Sequence, residues 1–145
     1  VSKLLELEKK RVLYLEAALE PTAFDHRNGP PRRGQNGKMY AGHRYTPGKQ
    51  SRYMREIQIA ARIGDPVMFE KDIPLLLWVE YGVRRPKTVK RVYPVVRPDL
   101  TNYTKILEDS LNGIWWVDDS QVIAQIATKV YSNTPYVRAQ CEPYG

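Results

Sequence analysis

Apolar positions along the chain change their period from one segment to the next, and each change predicts an element. In residues 2–20, Leu4, Leu5, Val12, Leu15 and Leu19 recur at helical spacing among alternating charges. This reads as an amphipathic helix that Pro21 ends, covering its own domain or serving a partner. Residues 21–50 are rich in Pro, Gly, Arg and Asn and read as loop, with a hairpin turned at Asn36-Gly37. Thr46 or Ser51 then opens a helix whose inner face is Tyr53, Ile57, Ala60 and Ala61, stopped by Gly64-Asp65-Pro66. The apolar run of residues 73–83 predicts a largely buried strand. After a basic loop, residues 92–96 extend toward Asp99, and a second helix runs from about Thr101, its expected N-cap, to Leu111. Asn112-Gly113 supplies the stop. Residues 122–131 and 136–141 are two further strands separated by a turn at Ser132 to Pro135. The sum is an α+β fold: one domain over residues 21–145, a small mixed β-sheet flanked by helices, with residues 1–20 as an N-terminal helical extension.

Composition narrows the class. The chain has 145 residues, enough for one modest core, and a formal net charge of +7. Its one cysteine, Cys141, excludes an internal disulfide and fits a buried apolar position near the last strand, so a reducing cytoplasm is the expected setting. No apolar run approaches the roughly 20 residues of a membrane span, so no membrane partner is expected. The charge is segregated. Residues 21–64 hold nine basic against two acidic side chains, whereas residues 98–145 hold three basic against six acidic. Basic groups gathered away from acids suit nucleic-acid phosphate. Arg32, Arg33, Lys38, Arg44, Lys49 and Arg52 form one such group, with Arg55 beside it. Arg84, Arg85 and Lys87, followed by Lys90 and Arg91, form another. Tyr40 and Tyr45 among them offer rings for stacking on unpaired bases.

The acidic segment carries the chemistry. Asp99 precedes the second helix, and Asp118-Asp119 follow it. A carboxylate before a helix and a pair after it can gather into one cluster. Magnesium needs only one or two carboxylates when substrate phosphate supplies the remaining oxygens. Acids on an otherwise basic protein therefore point to a metal-dependent nuclease. There is no Gly-rich phosphate loop, and no serine or cysteine nucleophile stands in a catalytic context. His26 and His43 lack metal-ligand spacing.

Three spaced blocks carry a resemblance: Arg97-Pro98-Asp99-Leu100-Thr101-Asn102-Tyr103-Thr104-Lys105, Glu108-Asp109-Ser110-Leu111-Asn112-Gly113, and Asp118-Asp119-Ser120-Gln121-Val122. With Arg44 to Tyr53 they resemble RusA-type endodeoxyribonucleases, the Holliday junction resolvases often encoded by phages and prophages. The resemblance covers roughly residues 30 to 142. It implies a homodimeric, Mg2+-dependent enzyme (Mn2+ substituting) that cuts branched DNA in a bacterial cell. It assigns Asp99 and Asp119 to metal binding, with Asp118 as the adjacent acid, and Lys105 to the catalytic lysine position. Asn102 and Gln121 match supporting positions. The departure is Thr101, where the pattern has a second aspartate. That leaves open a non-cleaving, structure-selective DNA-binding protein. Trp115 and Trp116 are expected in the core, the alternative being stacking on junction bases.

Overall fold

The computed structural model describes residues 11–24, 27–28, 30–42, 44–45 and 48–145. Along the chain come β1 (Leu13–Ala17), β2 (Arg27–Asn28), β3 (Arg32–Arg33), β4 (Met39–Tyr40), β5 (Arg44–Tyr45) and α1 (Gly48–Arg62). They are followed by β6 (Leu75–Arg84), α2 (Leu100–Leu111), a one-turn 3-10 helix (Asp119–Gln121), β7 (Val122–Ser132) and β8 (Tyr136–Pro143). The main sheet has the order β1-β8-β6-β7; β6 and β7 are parallel, and the other pairs are antiparallel. Two short pairs, β2–β5 and β3–β4, complete the strands, the second closing on the expected Asn36-Gly37 turn with Gly37 at φ 80. The mixed sheet and two helices give the α+β class expected from the sequence.

The N-terminal expectation needs correction. Residues 1–10 lie outside the described residues, but Leu13–Ala17 is a strand, hydrogen-bonded along β8 from Leu13↔Cys141 to Ala17↔Val137. Its period is two. Leu13, Leu15 and Ala17 are buried, while Val12, Tyr14 and Glu16 face out. The helical spacing that grouped Val12 with Leu15 competes here with strict alternation, and pairing to β8 decides in favour of the strand. This part of residues 1–20 therefore belongs to the main sheet.

Two layers make the core. α1 and α2 pack on one face of the sheet, burying Tyr53, Ile57 and Ala61 from α1 and Ile106, Leu107 and Leu111 from α2. Leu75, Leu77, Val79 and Tyr81 of β6 meet them from below. The Tyr81 ring stacks on Tyr103 at 5.2 Å, and its hydroxyl donates to Thr104 Oγ1 at 3.0 Å. That bond satisfies a buried polar pair and pins α2 to the central strand. Trp115 and Trp116 are fully buried after α2. Trp115 Nε1 donates to the Ala61 carbonyl at 3.4 Å, and Trp116 Nε1 to Asn112 Oδ1 at 2.6 Å. Neither indole is available for stacking on DNA. Gly113, at φ 80, takes the left-handed stop expected after α2.

Two details depart from expectation. The N-cap of α2 is Asp99, not Thr101, which sits exposed in the first turn. The backbone of Asp99 is extended after Pro98, and its carbonyl accepts from Asn102 N at 3.0 Å. Also, among the described residues β6 is covered on one face only: its alternate residue Trp78 is 42% exposed.

The β1 correction has a direct test. Leu13→Ala should cost about 2–5 kcal/mol, as buried leucine truncations do. Val12→Ala should stay within about 0.5 kcal/mol, as exposed substitutions do. Urea unfolding of both variants checks this, and comparable losses would restore the helical face that includes Val12.

Candidate active site

Asp99 stands at the start of α2 with an exposed carboxylate that makes no capping hydrogen bond. Lys105 lies one and a half turns along the helix. Its ammonium is 3.9 Å from Asp109 and 4.7 Å from the centre of the Phe24 ring. Phe24 is fixed there because its backbone N–H donates to the Asn102 carbonyl at 2.9 Å. The Asp109 pair, the Phe24 face and the helix together hold Lys105 in place while leaving it exposed.

The acidic pair at the other end of the crossover divides its work. Asp118 caps the 3-10 helix: its carboxylate accepts from the backbone N–H and hydroxyl of Ser120. These bonds hold its carboxyl below the usual range. Gln121 completes the box. Its side-chain oxygen accepts from Val117 N at 2.9 Å and Asp118 N at 3.3 Å, and its amide donates to the Glu70 and Ile73 carbonyls at 2.8 and 3.2 Å. Gln121 is thus a buried clamp fixing the 117–121 turn to residues 70–73, which positions both aspartates. Asp118 faces a cleft of about 430 Å3 shared with Lys71 and Asp72. Asp119 instead lies within electrostatic reach of Glu108 on α2.

Glu108 is the site residue to which neither spacing nor resemblance assigned a role. It is half-buried, and burial pushes its carboxyl up to about 7, with the charges of Asp119 and Asp109 adding to the rise and Lys105 opposing it. A partly desolvated acid beside a second carboxylate is a common mark of a functional site. The signal in the sequence was spacing: Thr101, Lys105 and Glu108 fall four and then three residues apart, on one face of α2.

Asp99 is separated from Glu108 by nine residues, about 13 Å of helix rise. Among the described residues, no group of three or more Asp, Glu, His or Cys side chains is placed to surround one metal ion. The donor set fits a cation held by one or two carboxylates with phosphate oxygens completing the shell, and does not form a closed protein cage.

The basic residues distribute as follows. Arg32, Arg33 and Lys38 are exposed on the β3–β4 hairpin, beside Tyr40, whose hydroxyl accepts from Asn36 Nδ2 at 2.9 Å. Lys49 and Arg52 are exposed at the start of α1, and Arg84 and Lys87 beyond β6. Arg44 contributes its backbone to β5, and its side chain lies outside the described residues, as do His26 and His43. Arg85 is used internally. Its guanidinium donates to the Arg91 carbonyl at 3.0 Å and lies 5.9 Å from the Tyr131 ring centre.

A model of the family described as "Endodeoxyribonuclease RusA" matches residues 28–142, most of the chain. The chain belongs to the RusA endodeoxyribonuclease family. The candidate-site residues Asp99, Lys105, Glu108, Asp118 and Asp119 all fall within the matched span. The chain is also 28% identical over 129 residues, 81% of its own length and 87% of the relative's, to "Uncharacterized protein YqaN" of Bacillus subtilis (strain 168). Among the described residues, no helix of this RusA-family chain is long and apolar enough to cross a membrane.

Glu108 makes stability depend on pH with a definite sign. Its folded-state value near 7 lies above its ordinary 4.5, so between those values the folded state binds the extra proton. Stability then falls as pH rises from about 4.5 through 7. Glu108→Gln should exceed the wild type at pH 8 by on the order of 1 kcal/mol, allowing for solvent screening of a half-exposed group. The gap should close near pH 4. Urea midpoints at the two pH values measure it.

Proposed function

We propose that this RusA-family protein is a divalent-metal-dependent endonuclease that hydrolyses phosphodiesters in branched DNA, four-way junctions above all, and acts as a homodimer in a bacterial cell, encoded by a phage or prophage. The observation that carries this reading is the half-buried Glu108 beside Asp119, on the same helix face as an exposed, held Lys105. Asp119, with Glu108 adding negative charge beside it, would hold Mg2+, or Mn2+ in its place; Asp99 stands at the opposite end of α2 and would meet phosphate through a cation of its own. A bound divalent cation would neutralise phosphate charge and favour hydroxide formation from water.

The chain's own groups do the rest. The Lys105 ammonium offsets charge that builds on the phosphate oxygens as water attacks in line. Asp118 is occupied by the Ser120 cap, so it supports the position of Asp119 and is the weaker candidate for direct contact with a cation. The exposed cations of the β3–β4 hairpin, the α1 start and the loop after β6 bind phosphate without reading sequence. Paired strand cuts at a junction call for two sites, which a two-fold dimer supplies.

Thr101 motivates the second reading, a junction-binding protein that does not cut. A labelled synthetic four-way junction and a linear duplex of matching sequence, each with magnesium and with a chelator, separate the two. Symmetric magnesium-dependent nicks in the junction only are expected. Binding without cutting in either magnesium or manganese would establish the non-cleaving protein. Asp119→Asn and Asp99→Asn should abolish cutting and keep junction binding; a normal rate in either removes that residue from the site. Lys105→Ala should lower the cleavage rate about 10²–10³-fold, the usual cost of losing one electrostatic stabiliser.

Arg32→Ala with Arg33→Ala should leave cleavage at saturating junction intact and weaken binding. The slope of log affinity against log salt should fall by about 2, one unit for each lost phosphate contact. An unchanged slope would take the hairpin off the DNA.

A further inference from the structure

Residues 98–145 contain three basic side chains, and two of them face acids. Lys105 lies by Asp109, and Arg138 is held between Glu16 and Glu80. Lys129 is used differently. Its ammonium donates to two main-chain carbonyls, Val96 O at 2.8 Å and Pro98 O at 3.0 Å. The second belongs to the residue immediately before Asp99. Residues 85–99, which join β6 to α2, hold no helix or strand. A connection this long without an element of its own is uncommon in a compact domain and is usually functional. It is tied in steps to β7, an outer strand of the main sheet. Arg85 N–H donates to the Ser132 carbonyl at 3.1 Å, and Tyr131 N–H to the Val92 carbonyl at 2.8 Å. These two ties use main-chain groups that almost any residue supplies. The third is Lys129, and it needs a long stem with more than one donor at the tip.

We propose that Lys129 is a positioning residue for the candidate site: it fixes the backbone ahead of Asp99, so that this carboxylate meets a cation and DNA phosphate in a defined direction. The inference rests on the nuclease reading for what Asp99 does, and on the two hydrogen bonds for where Asp99 stands. Lys129 is the register partner of Tyr81 on β6, so both side chains leave the sheet on the face that α2 covers. Tyr81 donates to Thr104 Oγ1, which in turn donates to the Leu100 carbonyl at 3.3 Å. One register pair thus holds the chain on both sides of Asp99, at Pro98 and at Leu100. The Asp99 side chain makes no capping hydrogen bond, so the backbone on either side sets the direction of its carboxylate. A lysine on an outer strand can also guard an open edge by its charge. A guard keeps its ammonium in water, whereas Lys129 is partly buried and turns its ammonium onto carbonyls.

Lys129→Met removes the donors and keeps most of the stem, and the full chain is tested beside it. At saturating junction the variant should cut about 10–100-fold more slowly, the usual cost of losing a group that orients a metal ligand. It should also need more magnesium for half its maximal rate. Its circular dichroism, its junction affinity in chelator and the salt slope of that affinity should not change. Lys129→Arg, which keeps two donors, should recover most of the loss. A second readout is independent of cutting. Paramagnetic manganese should broaden the Leu100 amide signal of the wild type in NMR, and Lys129→Met should need about 10–100-fold more manganese for the same broadening. Normal cutting and normal broadening in Lys129→Met overturn the proposal, as does a Leu100 signal that manganese leaves sharp in the wild type. A salt slope lower by about one would make Lys129 a phosphate contact and overturn it too. So would a slower rate with unchanged magnesium need and unchanged broadening, which is a packing effect. Should Lys129→Met not fold, Lys129→Gln repeats the series with a shorter, neutral donor. A wild type that shows Lys129-dependent broadening but cuts no DNA keeps this inference and removes the nuclease reading. A wild type that cuts, matched by Lys129→Met in both readouts, does the reverse.

Discussion

The parallel pairing of β6 with β7 is the constraint on which the molecule depends. Parallel neighbours cannot be joined by a tight turn, so the chain must leave the end of β6 and return along the sheet before starting β7. α2 makes that return, and its apolar stripe must be buried for the crossover to hold. Ile106, Leu107 and Leu111 are fully buried against β6, followed by Trp115 and Trp116. Each such side chain contributes about 1.5–3 kcal/mol on burial. The ends of this crossover are where Asp99 and Asp119 stand. The positions of the acids are therefore consequences of core packing, fixed by the hydroxyl bond between Tyr81 and Thr104 and by the Gln121 clamp.

Electrostatics then separates two surfaces. Acids that face a polyanion are unfavourable without compensating charge, and here Lys105 is the nearest compensation on the same helix face. The basic side chains stand mainly on the hairpin, the start of α1 and the loop after β6, segments that surround the core instead of building it. Under the proposed reading, a substitution in these loops would change phosphate affinity with little effect on folding, whereas the core of α2 would tolerate little change because the candidate site hangs from it. The face of the sheet opposite the helices, uncovered among the described residues, is distinct from both: its Arg138, Glu16 and Glu80 charges are closed on one another.

Much of this organisation was legible in the sequence. The long elements, α1, β6, α2, β7 and β8, follow from their periods and from glycine stops at Gly64 and Gly113, because local backbone preference and burial agree there. β1 was misread because Leu13, Leu15 and Ala17 alternate over only five residues, next to leucines that also satisfy a helical period. What decides between the two is β8, more than a hundred residues away, and local pattern carries no trace of that pairing. In the candidate site, Asp99, Lys105 and Asp119 were visible through spacing and resemblance. Glu108 was not. A glutamate near the end of a helix reads as solvated until tertiary structure shows that its carboxyl is half-buried and beside another acid.

Glu108 also bears on the departure at Thr101. An acid in the first turn of a helix is stabilised by the positive end of the helix dipole, so an aspartate at this position would be a comfortable carboxylate near Asp99. Its replacement by threonine removes a negative charge from the exposed start of α2. Glu108 stands seven residues on along the same stripe, in a partly desolvated setting where its charge is costly unless a cation is near. Under the proposed reading, negative charge in the site is therefore shifted along one helix face, from position 101 toward Asp119, and is not simply lost. A carboxyl held near neutrality is poised to ionise when a cation arrives. That coupling would make metal affinity in this chain depend more steeply on pH than it would in a site built from well-solvated aspartates.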